Sequence, residues 1–574
     1  MPILDWIGKD KVVNHHLDVP YRVLNRQYSF DKKGQHKEDN GSENMIIHGD
    51  NLEALKSLLP QYEGKIDCIY IDPPYNTGNQ KWVYNDNVND PIIQKWLGKI
   101  VGENIDDLTS HDKWLCMMYP RIKLLWKLLS EHGVILISIN DYEYANLKNI
   151  CDEIFTQKNL VNTFIWYIDG HTDNQEKITQ VHEYILCYAK DKTKMNINNI
   201  VDPNTPLNSK ILNDFAENSI TKNGIKNPPS EILLPVGFPC EKEYLHLKKH
   251  EMINDLIKDS NENGYITREM TKKYSITYPA RINDMVVENY ALKNDCRVFS
   301  GWANNGKLKK FIDNGFQPFE EKGSTMRFYL SKNGVIYYRK EGRNKHYVQT
   351  VLENMGTTET NKYMLESMGI DFDYPKPLIL IEYLLSIFCP KSGIVLDSFA
   401  GSGTTGHAII ENNYNKKEGN RFILIEMMDY AETKTARRIK SVIKGYKKDK
   451  ETFRGIDCNF SYYELGETLL KNGLINEAVG IDKIREYVYY TETKQKVEKT
   501  KTDEPCLLGT YAGNAYYFYY DKDNITTLDR EFLHTVKTKS ENYVIYADLC
   551  TLSDCELEKY HIVFKKIPRD ISKL

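Results

Sequence analysis

No stretch of this 574-residue chain reaches the ~20 consecutive apolar residues that a membrane helix needs. Its opening residues, MPILDWIGKDKVVNHH, also lack the basic region and apolar core of a secretory signal, so the expectation is a cytoplasmic chain that touches no membrane. Paired cysteine spacing is missing too. The eleven cysteines, scattered from Cys68 to Cys555, include no C-x-x-C, which argues for reduced, buried thiols over a zinc site or a disulfide framework. His182 and Glu183 are not part of an H-E-x-x-H motif, because Leu186 stands where the second histidine would be. His15 and His16 have no acidic partner at metal-like spacing and read as surface or capping residues, so no metal is expected. A G-x-x-x-x-G-K-[S/T] loop is absent, which argues against an ATP-driven motor. Excess basic charge is absent as well: the formal net charge is -4, the opposite of a simple electrostatic footprint for nucleic acid.

What is present is the composition of a folded protein. Hydrophobic residues at 41% and charged residues at 27% exclude disorder and fibrous classes, and the length exceeds what one core supports, so three or four domains are expected. The charge is uneven. From Lys307 to Lys345, ten basic residues (Lys307, Lys309, Lys310, Lys322, Arg327, Lys332, Arg339, Lys340, Arg343, Lys345) face four acids (Asp313, Glu320, Glu321, Glu341). Charge runs are usually solvated faces; eight of these residues (Lys307, Lys309, Lys310, Arg327, Arg339, Lys340, Arg343, Lys345) are the candidates for meeting phosphates.

Short apolar runs alternate with helical patterns in two blocks. NMIIHGDN, LEALKSLL and KIDCIYIDPPY read as strand, helix, strand. WLCMMYPRIKLLWKLLSEHG reads as a helix with Trp114, Met118, Ile122, Leu125 and Leu129 on one face and Gly133 at its end; Trp114 and Met118 are most simply core. GVILISIND and HEYILCYAK follow as strands. After a stretch of Asn, Lys and Pro clusters with no sustained period, PKPLILIEYLLSIF, KSGIVLDSFAGSGTTGHAIIENN and RFILIEMMDYAETKTARRIK read as helix, strand, glycine loop, helix, strand, helix. βαβ units imply a doubly wound parallel sheet. Beyond residue 460 the chain is rich in Tyr, carries the linker-like run TKQKVEKTKTDE, and ends in strand-like NYVIYADL and HIVFKKIP.

Two loops carry chemistry. LDSFAGSGTTG follows a strand, opens a helix, and satisfies G-x-G-x-x-G through Gly401, Gly403 and Gly406; Glu426 ends the next strand, twenty positions after Gly406. By itself this pattern fits a structural turn, or a nicotinamide or flavin oxidoreductase. IDPPYNTGN, at the carboxyl end of its own strand, does not suit a dehydrogenase. An exocyclic amine is a poor nucleophile because its lone pair is delocalised into the ring. Asp72 and the carbonyl of Pro73 could draw on its hydrogens, with Pro73 and Pro74 fixing the backbone and Tyr75 offering a face for an extruded base. A strand ended by a Pro-Pro turn, with Asp72 a surface cap, is the blander alternative.

Together DPPY and FAGSGTT resemble the β class of amino-methyltransferases, in which the catalytic motif precedes the cofactor loop, a circularly permuted order. DPPYNTGNQKWVYNDN, WLCMMYPRIKLL, GVILISINDYEYANLK, HEYILCYAK and YPKPLILI further resemble the modification (Mod) subunits of type III restriction-modification systems, over roughly residues 44–190 and 365–440. The resemblance implies methyl transfer from S-adenosylmethionine to adenine N6 in double-stranded DNA by base flipping. Asp72, Pro73, Pro74 and Tyr75 would form the catalytic motif. Asp397, Phe399, Gly401, Gly403 and Thr404 would surround the methionine part of the cofactor, Glu426 its ribose and Asp50 its adenine, with Lys376 and Pro377 closing over the methionine end. A restriction (Res) subunit and a second copy of the chain, as a homodimer, are the partners it implies. N4-cytosine methylation, or a DNA-recognition subunit acting mainly by recruiting a nuclease, remain open.

The expected fold is therefore α/β, a Rossmann-like methyltransferase sheet with an insertion and a small C-terminal α+β domain. The expected boundaries are an N-terminal arm at 1–40, a catalytic half at 41–190, an inserted target-recognition domain at 191–360, a cofactor half at 361–460, and a C-terminal domain at 461–574 serving dimerisation or partner contact.

Overall fold

The computed structural model describes residues 4–77, 109–168, 179–342, 347–448, 451–497 and 503–569. They form two compact units, residues 1–198 with 349–574, and residues 199–348.

An eleven-stranded sheet organises the first unit. Its strands, in chain order, are β1 (Arg22–Asp31), β2 (Gly34–His36), β3 (Met45–His48), β4 (Ile66–Ile71), β5 (Leu129–Ile139), β6 (Leu160–Tyr167), β7 (His182–Ala189), β8 (Val351–Leu352), β9 (Ile394–Asp397), β10 (Arg421–Glu426) and β11 (Phe460–Thr468). Side by side they run β8, β6, β7, β5, β4, β9, β10, β3, β11, β1, β2. From β5 through β4, β9, β10 and β3 to β11 the pairing is parallel, and the apolar runs IDCIYI, IVLD and RFILIE are buried, as strands covered on both faces must be. β7 runs antiparallel to both β5 and β6.

The helices that position the site are α1 (Asn51–Tyr62), α2 (Ser110–Leu128), α3 (Asp141–Phe155), α4 (Thr358–Ser367), α5 (Leu378–Phe388), α6 (Thr404–Lys416), α7 (Arg437–Lys444) and α8 (Ile481–Thr493). Thr109 and Asp112 close a capping box at the start of α2, satisfying two backbone donors, and Trp114, Met118, Ile122 and Leu125 form a fully buried stripe. The helix does not run to Gly133 as expected. It ends at Leu128, and Gly133 lies inside β5, where a Cβ would stand 2.8 Å from the Ile66 carbonyl oxygen.

Several expected boundaries are corrected. Residues 1–40 are not an arm apart from the domain, because β1 and β2 extend the main sheet, Tyr28 stacks on Tyr462, and Trp6 Nε1 donates to Cys116 Sγ at 3.3 Å. Nor does the sheet stop at residue 460, since β11 lies between β3 and β1. His16 is buried rather than superficial, and burial, then Lys127 and Lys123, push its pKa down to about 4. Beyond β11, strands Leu507–Tyr511, Asn514–Phe518, Asn542–Ala547 and Ile562–Lys566 form a four-stranded sheet with α8 packed against it. In the run TKQKVEKTKTDE, residues 498–502 lie outside the described residues.

The second unit spans 199–348, inside the expected 191–360, because residues 191–198 and 349–360 cluster with the first. It has its own core, with Phe238, Trp302, Phe311, Phe328 and Met326 buried among short antiparallel strands. Among the described residues no helix is long and apolar enough to cross a membrane.

Candidate active site

Sheet topology joins two motifs that lie 325 positions apart in the chain (397 minus 72). β4 and β9 are hydrogen-bonded parallel neighbours, with Cys68 opposite Val395 and Ile69 opposite Leu396. Their carboxyl ends release the DPPY and DSFAGSGTT loops side by side, where open parallel sheets place their ligands. Asp72, Pro73, Pro74 and Tyr75 line one cleft of about 560 Å³ together with Asp397, Phe399, Gly401 and Thr404. Had Asp72 and Gly401 fallen on opposite faces, no joint chemistry would have been open to them.

The DPPY loop is braced from below. Trp114 Nε1 donates to the Pro74 carbonyl at 2.7 Å, so a residue read as core also fixes the motif. Asn76 adopts a left-handed φ of 61°, and its Nδ2 donates at 2.6 Å to Oε1 of Glu143, a fully buried carboxylate on α3 that also meets His111 Nδ1 at 2.7 Å and Asn146 Nδ2 at 2.8 Å.

Asp72 sits within a charged cluster that sequence reasoning only partly anticipated. Because β7 is antiparallel to β5, its first residues lie at the carboxyl end of the parallel strands, and Glu183 therefore enters the cleft. Tyr75 Oη donates to Asp72 Oδ1 at 2.8 Å or Glu183 Oε2 at 3.0 Å. Lys376, only 9% exposed, bridges the same two oxygens at 3.2 and 3.1 Å, and its ammonium lies 4.8 Å from the Tyr75 ring centroid. Burial disfavours that ammonium, but Asp72 and Glu183 outweigh it and the Lys376 pKa is raised. Burial, reinforced by Asp72 and Glu183, lifts the Tyr75 phenol well above its ordinary value, so it remains a donor.

In the glycine loop, Asp397 accepts from Phe399 N at 3.0 Å and Thr405 Oγ1 at 2.5 Å; burial raises its pKa to about 7 against those bonds. Gly403 has φ +82°, and a Cβ there would meet the Thr435 carbonyl oxygen at 3.1 Å. Glu426, 2% exposed, accepts from Gly401 N at 2.7 Å and Met428 N at 3.0 Å. Behind the loop the fully buried Arg438 donates to Ser402 Oγ at 2.9 Å and Thr404 Oγ1 at 2.7 Å. Asp50 caps α1, accepting from Leu52 N and Glu53 N, and Arg121 Nη2 lies 3.8 Å from its other oxygen. The same Arg121 grips Asn51, whose Nδ2 donates to the Ser398 carbonyl, tying the HGDN loop to the glycine loop.

Of the sequence-derived site residues, Lys376 is thus brought to Asp72 and Tyr75. Asp50, Glu426, Gly403 and Pro377 are not among the residues lining the cleft; Pro377 is the N-cap residue of α5. Glu183, Asn76, Glu143 and Arg438 were not anticipated. For Glu183 the signal in the sequence is its place at the start of the strand HEYILCYAK, beside His182.

In the second unit three basic candidates have acidic partners: Lys307 with Glu321 at 2.9 Å, Arg327 with Glu341 at 3.1 Å, and Arg339 with Glu217 at 2.8 Å. Lys310 lies over the Phe319 ring, Lys309 is on helix Asn305–Asp313 and Lys340 on strand Ile336–Glu341. Arg343 and Lys345 lie outside the described residues. Among the described residues no group of three or more His, Cys, Asp or Glu could hold a metal.

The chain matches the model of a family described as DNA methylase over residues 66–493. The type III restriction-modification enzyme EcoP15I Mod subunit of Escherichia coli is 28% identical over 461 residues, covering 74% of this chain; the chain spans 64% of that relative's length. The type II methyltransferase M.KpnI of Klebsiella pneumoniae is 27% identical over 411 residues, covering 70% of this chain and 85% of the relative. Among solved structures, an M1.HpyAVI-SAM complex aligns at 14% identity over 69% of this chain and 97% of that one, with a TM-score of 0.26.

Proposed function

This chain belongs to the DNA methylase family, and from that footing we propose that it transfers a methyl group from S-adenosylmethionine to adenine N6 at a specific site in double-stranded DNA. The observation that carries this reading is the single cleft shared by Asp72 and the glycine loop.

The residues present fit the cofactor. About 560 Å³ lies within the ~300–1,000 Å³ of ordinary ligand pockets. Phe399 offers an apolar wall, and Gly401, Ser402 and Thr404 lead into the amino end of α6, a thirteen-residue helix whose dipole and backbone donors suit a carboxylate. Asp397, Phe399, Gly401 and Thr404 would hold the methionine part, Gly403 allowing the turn; Lys376 and Pro377 would bound that end, with Glu426 and Asp50 toward ribose and adenine. When bound, S-adenosylmethionine supplies a sulfonium-activated methyl group. The chain's own part is to hold the target amine. Asp72 accepts one of its hydrogens and takes the proton the nitrogen must shed, the Pro73 carbonyl accepts the other, and Tyr75 carries the ring. Most of the rate gain would come from positioning.

Adenine is favoured over cytosine because aspartate, not serine, precedes PPY. Phosphate contact falls to the basic residues of the second unit. Lys307, Arg327 and Arg339 would trade carboxylate for phosphate, a small step because such partly exposed pairs are each worth roughly 0–1 kcal/mol. The type III likeness makes a Res subunit and a homodimer the expected partners. A second reading, a modification enzyme acting without a Res subunit, draws on the likeness to a type II methyltransferase; copurification with a helicase-nuclease would overturn it.

The test is to sequence modified bases in DNA from cells with and without the gene. N6-methyladenine in one gene-dependent context is expected. N4-methylcytosine would overturn the base assignment, and no gene-dependent mark would overturn the reading.

A further inference from the structure

Resting on that reading, we infer that Glu183 is a positioning residue that takes the Lys376 ammonium away from Asp72 when the target base enters. As it stands, the cleft has both groups the base needs already engaged. The ammonium is 3.2 Å from Asp72 Oδ1, where an amine N–H must bond, and 4.8 Å from the centroid of the ring on which the base must stack. A lysine so placed is a stand-in for the amine. The base must displace it, and a buried ammonium cannot be left without a carboxylate, because an uncompensated buried charge is far more costly than the paired one.

Glu183 removes that obstacle. Its Oε2 is already 3.1 Å from the same nitrogen, so the transfer needs no long movement: the ammonium keeps one partner while releasing the other. Tyr75 can follow, since its one hydroxyl proton can pass from Asp72 Oδ1 at 2.8 Å to Glu183 Oε2 at 3.0 Å. Both donors that Asp72 has among the described residues are then on Glu183, which leaves Asp72 Oδ1 to the amine. With two carboxylates and one ammonium, the cluster carries a formal charge of one negative unit, which favours an incoming N–H donor. Strand direction is what makes this possible: β7 runs against β5, so its first residues, not its last, lie beside the DPPY loop.

The test is a double-mutant cycle on the full-length chain. The probe is a duplex bearing the site found by modified-base sequencing, with the target adenine retained and 2-aminopurine at the position next to it, whose fluorescence rises when its neighbour leaves the stack. Glu183→Gln leaves the ammonium on Asp72 alone, so base capture and kcat/KM for DNA should fall at least tenfold while the Kd for S-adenosylmethionine changes less than twofold. In a Lys376→Met background the same Glu183→Gln change should alter base capture less than twofold. Equal loss in both backgrounds would mark Glu183 as merely structural and overturn the inference, as would no loss in the lysine background. Should Glu183→Gln fail to fold, Lys376→Met alone decides: base capture at or above wild type is expected even as turnover falls, and a drop overturns the inference. Absence of any methylated site would sink the functional reading first; a methylating wild type with an additive cycle sinks this inference alone.

Discussion

Replacing Trp114 with phenylalanine separates a core role from a catalytic one. The indole is fully buried on α2, and its Nε1 is placed 2.7 Å from the Pro74 carbonyl oxygen. Phenylalanine keeps most of the apolar contact but removes the donor. A partly buried carbonyl left without its donor costs up to roughly 1–3 kcal/mol. The void where the second ring was adds roughly 1 kcal/mol. Against the roughly 5–15 kcal/mol of a typical domain, a total loss of about 2–4 kcal/mol leaves the protein folded but visibly weaker in urea. If the bond also holds Pro73 and Asp72 in line, part of that loss reappears in the barrier, where each ~1.4 kcal/mol is tenfold. The turnover number for radiolabelled methyl transfer should then drop about ten- to a hundredfold, with cofactor Kd unchanged because Trp114 does not line the cleft. Wild-type kcat in a variant that has lost the full stability increment would refute the reasoning, since the bond would then serve the core alone.

Asp72→Ala should keep S-adenosylmethionine binding by calorimetry and lose methylation by at least a thousandfold; a variant methylating at the wild-type rate would remove Asp72 from the mechanism. Gly403→Ala places a Cβ 3.1 Å from the Thr435 carbonyl oxygen at φ +82°, so calorimetry should find cofactor affinity lowered, with a stability loss of roughly 1–2 kcal/mol; unchanged affinity would mean the turn tolerates the side chain. Asp397 has a folded pKa near 7 against an ordinary 3.8, raised by burial. The folded chain keeps this proton between pH 4 and 7 while the unfolded chain releases it, so the stability it contributes is full below about pH 4 and lost as pH rises through 7. At about 1.4 kcal/mol per pKa unit the difference is on the order of 4 kcal/mol, and Asp397→Asn should flatten the decline in urea midpoint between pH 5 and 8; an unaltered slope would contradict the assignment.

The parallel centre of the sheet was legible because strands buried on both faces leave few polar positions: KIDCIYI, GVILISI and RFILIE read as strands. β1 was not, since in RVLNRQYSFD only Tyr28, Ser29 and Phe30 are buried and the rest alternates with no clear period. Gly133 misled because glycine serves helix ends and close backbone approaches alike, and only the neighbouring Ile66 carbonyl distinguishes them. The basic count from Lys307 to Lys345 missed Glu217, which pairs with Arg339 across two strands and 122 positions of chain. Glu183 is the instructive omission: its identity was plain, but its use depends on the direction of β7, which no residue type reveals.

That last point reaches beyond one residue. A cleft at the carboxyl ends of parallel strands draws on strand endings, but the antiparallel β7 contributes its beginning and β6, reversed again, its ending: Glu183 lies at the start of β7 and its register partner Trp166 at the end of β6, with the Trp166 ring 5.9 Å from the Lys376 ammonium. The groups proposed to hold the amine thus come from β4, β7 and the segment before α5, while the glycine loop hangs from β9 and is fixed by Glu426, Thr435 and Arg438. Because the bracing networks of the two halves share no side chain among these, changes at Trp114 or Glu183 should move base handling without cofactor affinity, and changes at Gly403 the reverse. A substitution on either side that moved both together would mean the two loops are coupled through the β4–β9 pairing itself.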